Sequence, residues 1–157
     1  MALACEPGQG DELLRPPRPP DEPVFDRDMT ERVIVSALVM GVTSSIVFRL
    51  WLGGQDGIDD AARIAAARNA TLLAMVLFEN LHLGNCRSET RSALASPPWS
   101  GPLLLAGTLA ALAVHVAAMH VPLTRTILEI APLPLRDWVG LAAMATAILP
   151  AVELHKW

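Results

Sequence analysis

Residues 103–121 run for nineteen positions without a formal charge. As a helix they would span about 28 Å, close to the hydrocarbon thickness of a bilayer. A core helix of a soluble bundle would show a polar residue every third or fourth position. The stretch Leu103-Leu104-Leu105-Ala106-Gly107-Thr108-Leu109-Ala110-Ala111-Leu112-Ala113-Val114 has no charged stripe. Three further segments are of the same kind. Residues 33–52 are uncharged through Phe48, and Arg49 and Trp51 near the far end suit an interfacial depth. Residues 69–86 lie between Arg68 and Arg87 with Glu79 as the single formal charge. Residues 138–152 lie between Asp137 and Glu153 and reach only about 22 Å. The fourth span is therefore drawn to about 155, toward Lys156 and Trp157, or the bilayer thins around it. Composition agrees: 18% of residues are charged, against about 25% in soluble domains, and mean hydropathy is +0.39.

The expected architecture is all-α: four antiparallel transmembrane helices (about 33–52, 69–86, 103–121 and 138–155) within residues 32–157, preceded by an extended arm over residues 1–31. That arm concentrates acids, arginines and prolines, and Arg15-Pro16-Pro17-Arg18-Pro19-Pro20 favours polyproline-II geometry and reads as a stiff linker. Cys5 has too few residues before it for a signal-peptide core. Cys5 and Cys86 form neither a disulfide framework nor a metal cluster motif. The connections are short, and Gly53-Gly54-Gln55-Asp56-Gly57 reads as a turn before a helix capped by Asp59 or Asp60. Counting Lys and Arg on the two sides gives seven with the termini and five opposite, which favours cytoplasmic termini in a multi-pass cell-membrane protein. A net charge of -4 leaves no basic surplus for nucleic acid.

The second span carries the chemistry. A carboxylate near mid-bilayer costs about 2.5–3.5 kcal/mol on insertion scales, and such groups usually face a partner or an ion path. Met75, Glu79, His82 and Cys86 follow 4-3-4 spacing and share one helical face. Asn80 and Asn85 add amide oxygens off that face. Oxygen donors suit hard cations such as Ca²⁺ or Na⁺, or a proton relay. The candidate cation ligands are Glu79, and more weakly Asn85 and His82. The competing reading of Glu79 is a protonated acid bonded to a neighbouring helix. His115 and His120 read as packed or interfacial.

At these residues a family resemblance appears. Ala67-Arg68-Asn69-Ala70-Thr71-Leu72-Leu73-Ala74-Met75-Val76-Leu77-Phe78-Glu79-Asn80, continuing to Asn85, Arg87-Ser88-Glu89 and Ser92, resembles the eighth membrane helix of P-type cation-transporting ATPases. Glu6-Pro7-Gly8-Gln9-Gly10-Asp11 and Arg15-Pro16-Pro17-Arg18 look like the family's cytoplasmic loop after its sixth helix. Val121-Pro122-Leu123, Ala131-Pro132-Leu133 and Asp137-Trp138 resemble its ninth-to-tenth helix region, and Pro150, Glu153 and Lys156-Trp157 its end. The resemblance implies the C-terminal membrane domain, helices seven to ten, and a cation-ligand role for Glu79. His82 departs from the amide common at its position.

The family's Asp-Lys-Thr-Gly-Thr phosphorylation motif and Thr-Gly-Asp hinge do not occur in these 157 residues. The resemblance thus implies a domain or fragment that supports cation transport but is no enzyme by itself and binds no cofactor. Its expected partners are the bilayer and the remaining helices and motor domains of a pump. A truncated reading frame or split gene would produce such a chain. The alternatives are a small oligomeric transporter with Glu79 as its coupling acid, or an accessory subunit of a full-length pump.

Overall fold

The computed structural model describes residues 27–54, 57, 59–87 and 98–155. The polyproline run, Cys5 and the family-like segments before residue 27 lie outside the described residues, as do Gln55, Ser88–Pro97 and Lys156–Trp157. Among the described residues every regular element is helical. They are α1 (Arg27–Gly53), α2 (Asp60–Asn85), a 3-10 turn (Pro98–Ser100), α3 (Pro102–His120), α4 (Pro122–Leu128), α5 (Leu135–Ala145) and α6 (Ile148–His155). Four helical stretches are long and apolar enough to cross a membrane: Met29–Gly53, Asp60–Asn85, Pro102–His120 and Leu135–Leu154. At most a third of each is buried within the chain. So much exposed Leu, Ile and Val is compatible with lipid and not with water as the surrounding solvent.

The helices outrun the apolar runs for local reasons. α1 starts at Arg27, where Arg27 Nε donates to Glu31 Oε1 at 2.6 Å across one turn. At the start of α2, Asp59 is the cap: its Oδ1 accepts the Ala62 N–H at 2.8 Å. Asp60 pairs with Arg63 in the same turn.

The fourth span reaches His155, as expected, begins earlier than expected at Leu135, and is broken in the middle at Thr146–Ala147. Pro150 explains the break. It has no N–H for the Thr146 carbonyl, and its ring crowds that oxygen. The Thr146 carbonyl instead accepts from Leu149 N at 3.0 Å, and the Thr146 hydroxyl donates to the Ala143 carbonyl at 2.6 Å. The backbone groups freed by the proline are thus satisfied locally, as hydrocarbon requires.

Packing joins α1, α2 and the α5–α6 span. Leu141, Ala145, Ile148 and Val152 recur at 4-3-4 spacing and are fully buried. They meet Ala70, Leu73, Ala74 and Phe78 of α2, with Val47, Val39 and Met40 from α1. The alanines let the helix backbones approach closely, the usual device where lipid supplies no hydrophobic drive. α3 is peripheral: only Leu104 and Met119, near its two ends, are buried.

One polar clip ties the connection after α4 to α2. Asn69 is 5% exposed. Its Nδ2 donates to the Ala131 carbonyl at 2.8 Å, and the Ala131 N–H donates to its Oδ1 at 3.4 Å. One side chain thereby satisfies both polar groups of a residue 62 positions away. Beside it Glu129, in the left-handed region at φ 52°, pairs with Arg68 at 3.2 Å. Both partners are about two-thirds exposed, so this ion pair adds little. Asn69→Ala should therefore destabilise the folded domain by about 1–3 kcal/mol, because it orphans a carbonyl and an N–H together. Thermal unfolding in detergent checks this, with Arg68→Ala expected to shift the midpoint far less.

Candidate cation-ligand face

α2 presents two unlike sides. Ala67, Asn69, Ala70, Leu73, Ala74, Phe78 and Asn85 are buried. Ile64, Arg68, Leu72, Met75, Glu79 and Cys86 are exposed, and His82 between the last two is half-buried. Helical spacing fixes this division. Positions 68, 72, 75, 79, 82 and 86 advance by four, three, four, three and four residues and stay on one stripe. The expected sharing of a face by Met75, Glu79, His82 and Cys86 matches this exposure.

Glu79 sits just past the middle of the run between Arg68 and Arg87. Its carboxylate makes no hydrogen bond or ion pair with the described residues. Lipid alone would leave an anion there without compensation. His82 lies one turn further on along the same stripe. Asn85 is different: six residues on, it is turned by about 120° from Glu79 around the helix. It is 1% exposed, on the packed side. The structure thus places Glu79 and His82 side by side and Asn85 away from them. No group of three or more His, Cys, Asp and Glu side chains converges among the described residues.

A cavity of about 340 Å³ runs along the upper part of the exposed stripe, lined by Phe48, Arg68, Asn69, Leu72, Met75 and Glu129 among others. It ends one turn short of Glu79. A shallow groove of about 530 Å³ follows the exposed side of α1 over Ala37, Gly41 and Ser45. Two serines of α1 are not singled out by the sequence pattern. Ser36 is buried, and Ser36 Oγ, Ser44 Oγ and Asn80 Nδ2 have no hydrogen-bond partner among the described residues. Ser45, by contrast, donates to the Gly41 carbonyl at 2.8 Å. A serine in an apolar run signals such a group, but spacing does not reveal which serine is covered. His115 is half-buried and His120 is exposed, its Nδ1 2.9 Å from the Val116 carbonyl, in keeping with packed and interfacial roles.

Comparison with known proteins gives a consistent picture. The family model described as "Cation transporting ATPase, C-terminus" matches residues 1–157. The "Probable cation-transporting ATPase F" of Mycobacterium tuberculosis is 30% identical over 148 residues, covering 94% of this chain and 16% of that protein. The "Calcium-transporting ATPase" of Bacillus subtilis is 26% identical over 99% of this chain and 17% of its own length. The "Calcium-transporting ATPase 1" of Schizosaccharomyces pombe is 25% identical over the whole chain, again 17% of its length. The chain thus spans about a sixth of the length of these curated relatives.

Proposed function

Since the chain belongs to the cation-transporting ATPase C-terminal family, we propose that it works as the four-span membrane part of an ATP-driven pump whose cation site it completes through Glu79. The exposed stripe of α2 carries this reading. An unpaired carboxylate at mid-span, on a side these helices leave open, is what a ligand shared with further helices requires. The cavity one turn from Glu79 and the groove on the exposed side of α1 supply apolar surface for those helices to pack on.

In this role Glu79 offers a hard anionic oxygen that offsets cation charge in a medium of low dielectric constant. His82 borders it and Asn85 does not. Two of the relatives bear calcium in their names, so Ca²⁺ is the first cation to test and Na⁺ the second. Assembled with a motor half, Glu79→Gln should weaken cation affinity or cation-dependent turnover, while leaving membrane insertion of the chain intact. A purely structural, protonated Glu79 would tolerate the amide in both respects. Cation titration of the assembled wild-type and substituted pumps separates the two.

ATP chemistry belongs to other parts of the pump. Phosphoryl transfer needs an acceptor, a metal-phosphate clamp and charge stabilisation in one place, and these residues carry no acceptor-loop motif or glycine-rich phosphate cradle. The purified chain should form no phosphoenzyme from radiolabelled ATP. A cation-dependent, acid-stable phosphoprotein would overturn this.

The proposed setting is the cell membrane, with both termini cytoplasmic, in line with the Lys and Arg distribution. With Cys5 and Cys86 replaced by Ser, single cysteines at Gln55 and Thr126 should react with an impermeant maleimide in intact cells, and one in the N-terminal arm should not. The reverse pattern would invert the topology.

A further inference from the structure

α4 presents a second exposed apolar side, at Leu123 and Ile127, neither of which lines the cavity beside the α2 stripe. α4 has no buried residue. Leu123 and Ile127, four positions apart and thus on one side, are 67% and 68% exposed. Arg125 faces away from them. At about 100° per residue, Arg125 is about 160° from Ile127 around the helix. A helix this short does not persist on its own propensity and needs a surface on which to lie.

Three observations identify that surface. First, α4 is joined to the end of a membrane span. α3 stops at His120, the chain bends at Val121, and α4 begins at Pro122. Second, the next segment is held at the level where α2 becomes apolar, by the Asn69 clip to Ala131. α4 is therefore confined to the boundary between hydrocarbon and water. Third, its hydroxyls are satisfied internally. Thr124 Oγ1 donates to the Ala118 carbonyl at 2.6 Å and lies 2.9 Å from the Val121 carbonyl, while Thr126 Oγ1 donates to the Pro122 carbonyl at 3.0 Å. Neither needs water. The chain on both sides of α4 also exposes apolar residues: Val114 and Val121 before it, Leu135 and Val139 after it.

We propose that α4 is an interfacial helix that seats Leu123 and Ile127 among the acyl chains of the leaflet holding the α1–α2 turn, with Arg125 at the level of the lipid phosphates. The occupant of this side is phospholipid. Amphipathic helices bind in this manner through buried apolar area together with basic residues at the headgroups. Arg125 reaches that level while its aliphatic stem stays over the apolar zone. The consequence is mechanical: the connection between the last two spans is fixed by Asn69 on the protein side and by lipid on the other.

Depth-resolved quenching tests this. In a background with Cys5 and Cys86 replaced by Ser, an environment-sensitive fluorophore is attached at Leu123→Cys, Ile127→Cys or Arg125→Cys. The full chain is then reconstituted in phosphatidylcholine vesicles. Lipids carrying a nitroxide near the headgroup end of the acyl chain should quench positions 123 and 127 several-fold more strongly than position 125. A water-soluble quencher should show the opposite order. If a label at one apolar position prevents reconstitution, the other carries the comparison. Equal aqueous quenching at all positions would overturn the proposal. So would positions 123 and 127 shielded from both quenchers, since that side would then be covered by protein.

Discussion

Hydrocarbon offers the backbone no hydrogen bonds, and the chain is organised around that fact. Each long apolar run becomes a helix because only a helix satisfies its own N–H and C=O groups within one segment. The same demand explains the exceptions. Where Pro150 removes a donor, the Thr146 carbonyl turns to Leu149 and the Thr146 hydroxyl to Ala143. Thr71 and Thr108 bond the carbonyls four residues back, Ala67 and Leu104, at 2.8 and 2.9 Å. Polar side chains are thus tolerated inside the spans at small cost.

With backbones satisfied, helix association rests on close packing. Ala67, Ala70 and Ala74 make one side of α2 thin enough for α1 and the α5–α6 span to approach, and Phe78 fills the space below them. The opposite side of α2 carries longer residues and a carboxylate; near its start it meets Glu129 through Arg68, while Met75 and Glu79 are exposed. α2 is therefore both the centre of this domain and its open edge. The ligand role proposed for Glu79 uses this combination, since a helix that offers a ligand to further helices is anchored on one side and accessible on the other.

α3 plays a lesser part in the packing. Its buried residues sit near its ends, and between them it presents Leu109 and Val114 outward. The connection after it is where specific polar contacts accumulate: the Asn69 clip, the Arg68–Glu129 pair and the left-handed Glu129 that ends α4. Glutamate adopts that backbone less readily than glycine or asparagine, and the contacts on either side of it hold the turn.

The number of spans, their helical form and the stripe shared by Met75, Glu79, His82 and Cys86 were all legible from residue order, because charge-free length and a period of 3.6 are local properties. So was the weakness of the fourth span, although its extension back to Leu135 rests on the extended backbone at Pro134 and its break at Thr146 on Pro150. Residue order also placed Glu79 and Asn85 on the same helix with similar donors. It did not say that one would be exposed and the other buried, since periodicity tells which residues share a side but not which side a neighbour covers. Asn69 opens the second apolar run, and nothing in its spacing marks it out. Its pairing with Ala131 joins positions far apart in the chain, and only the folded arrangement of helices brings those two backbones within hydrogen-bond reach.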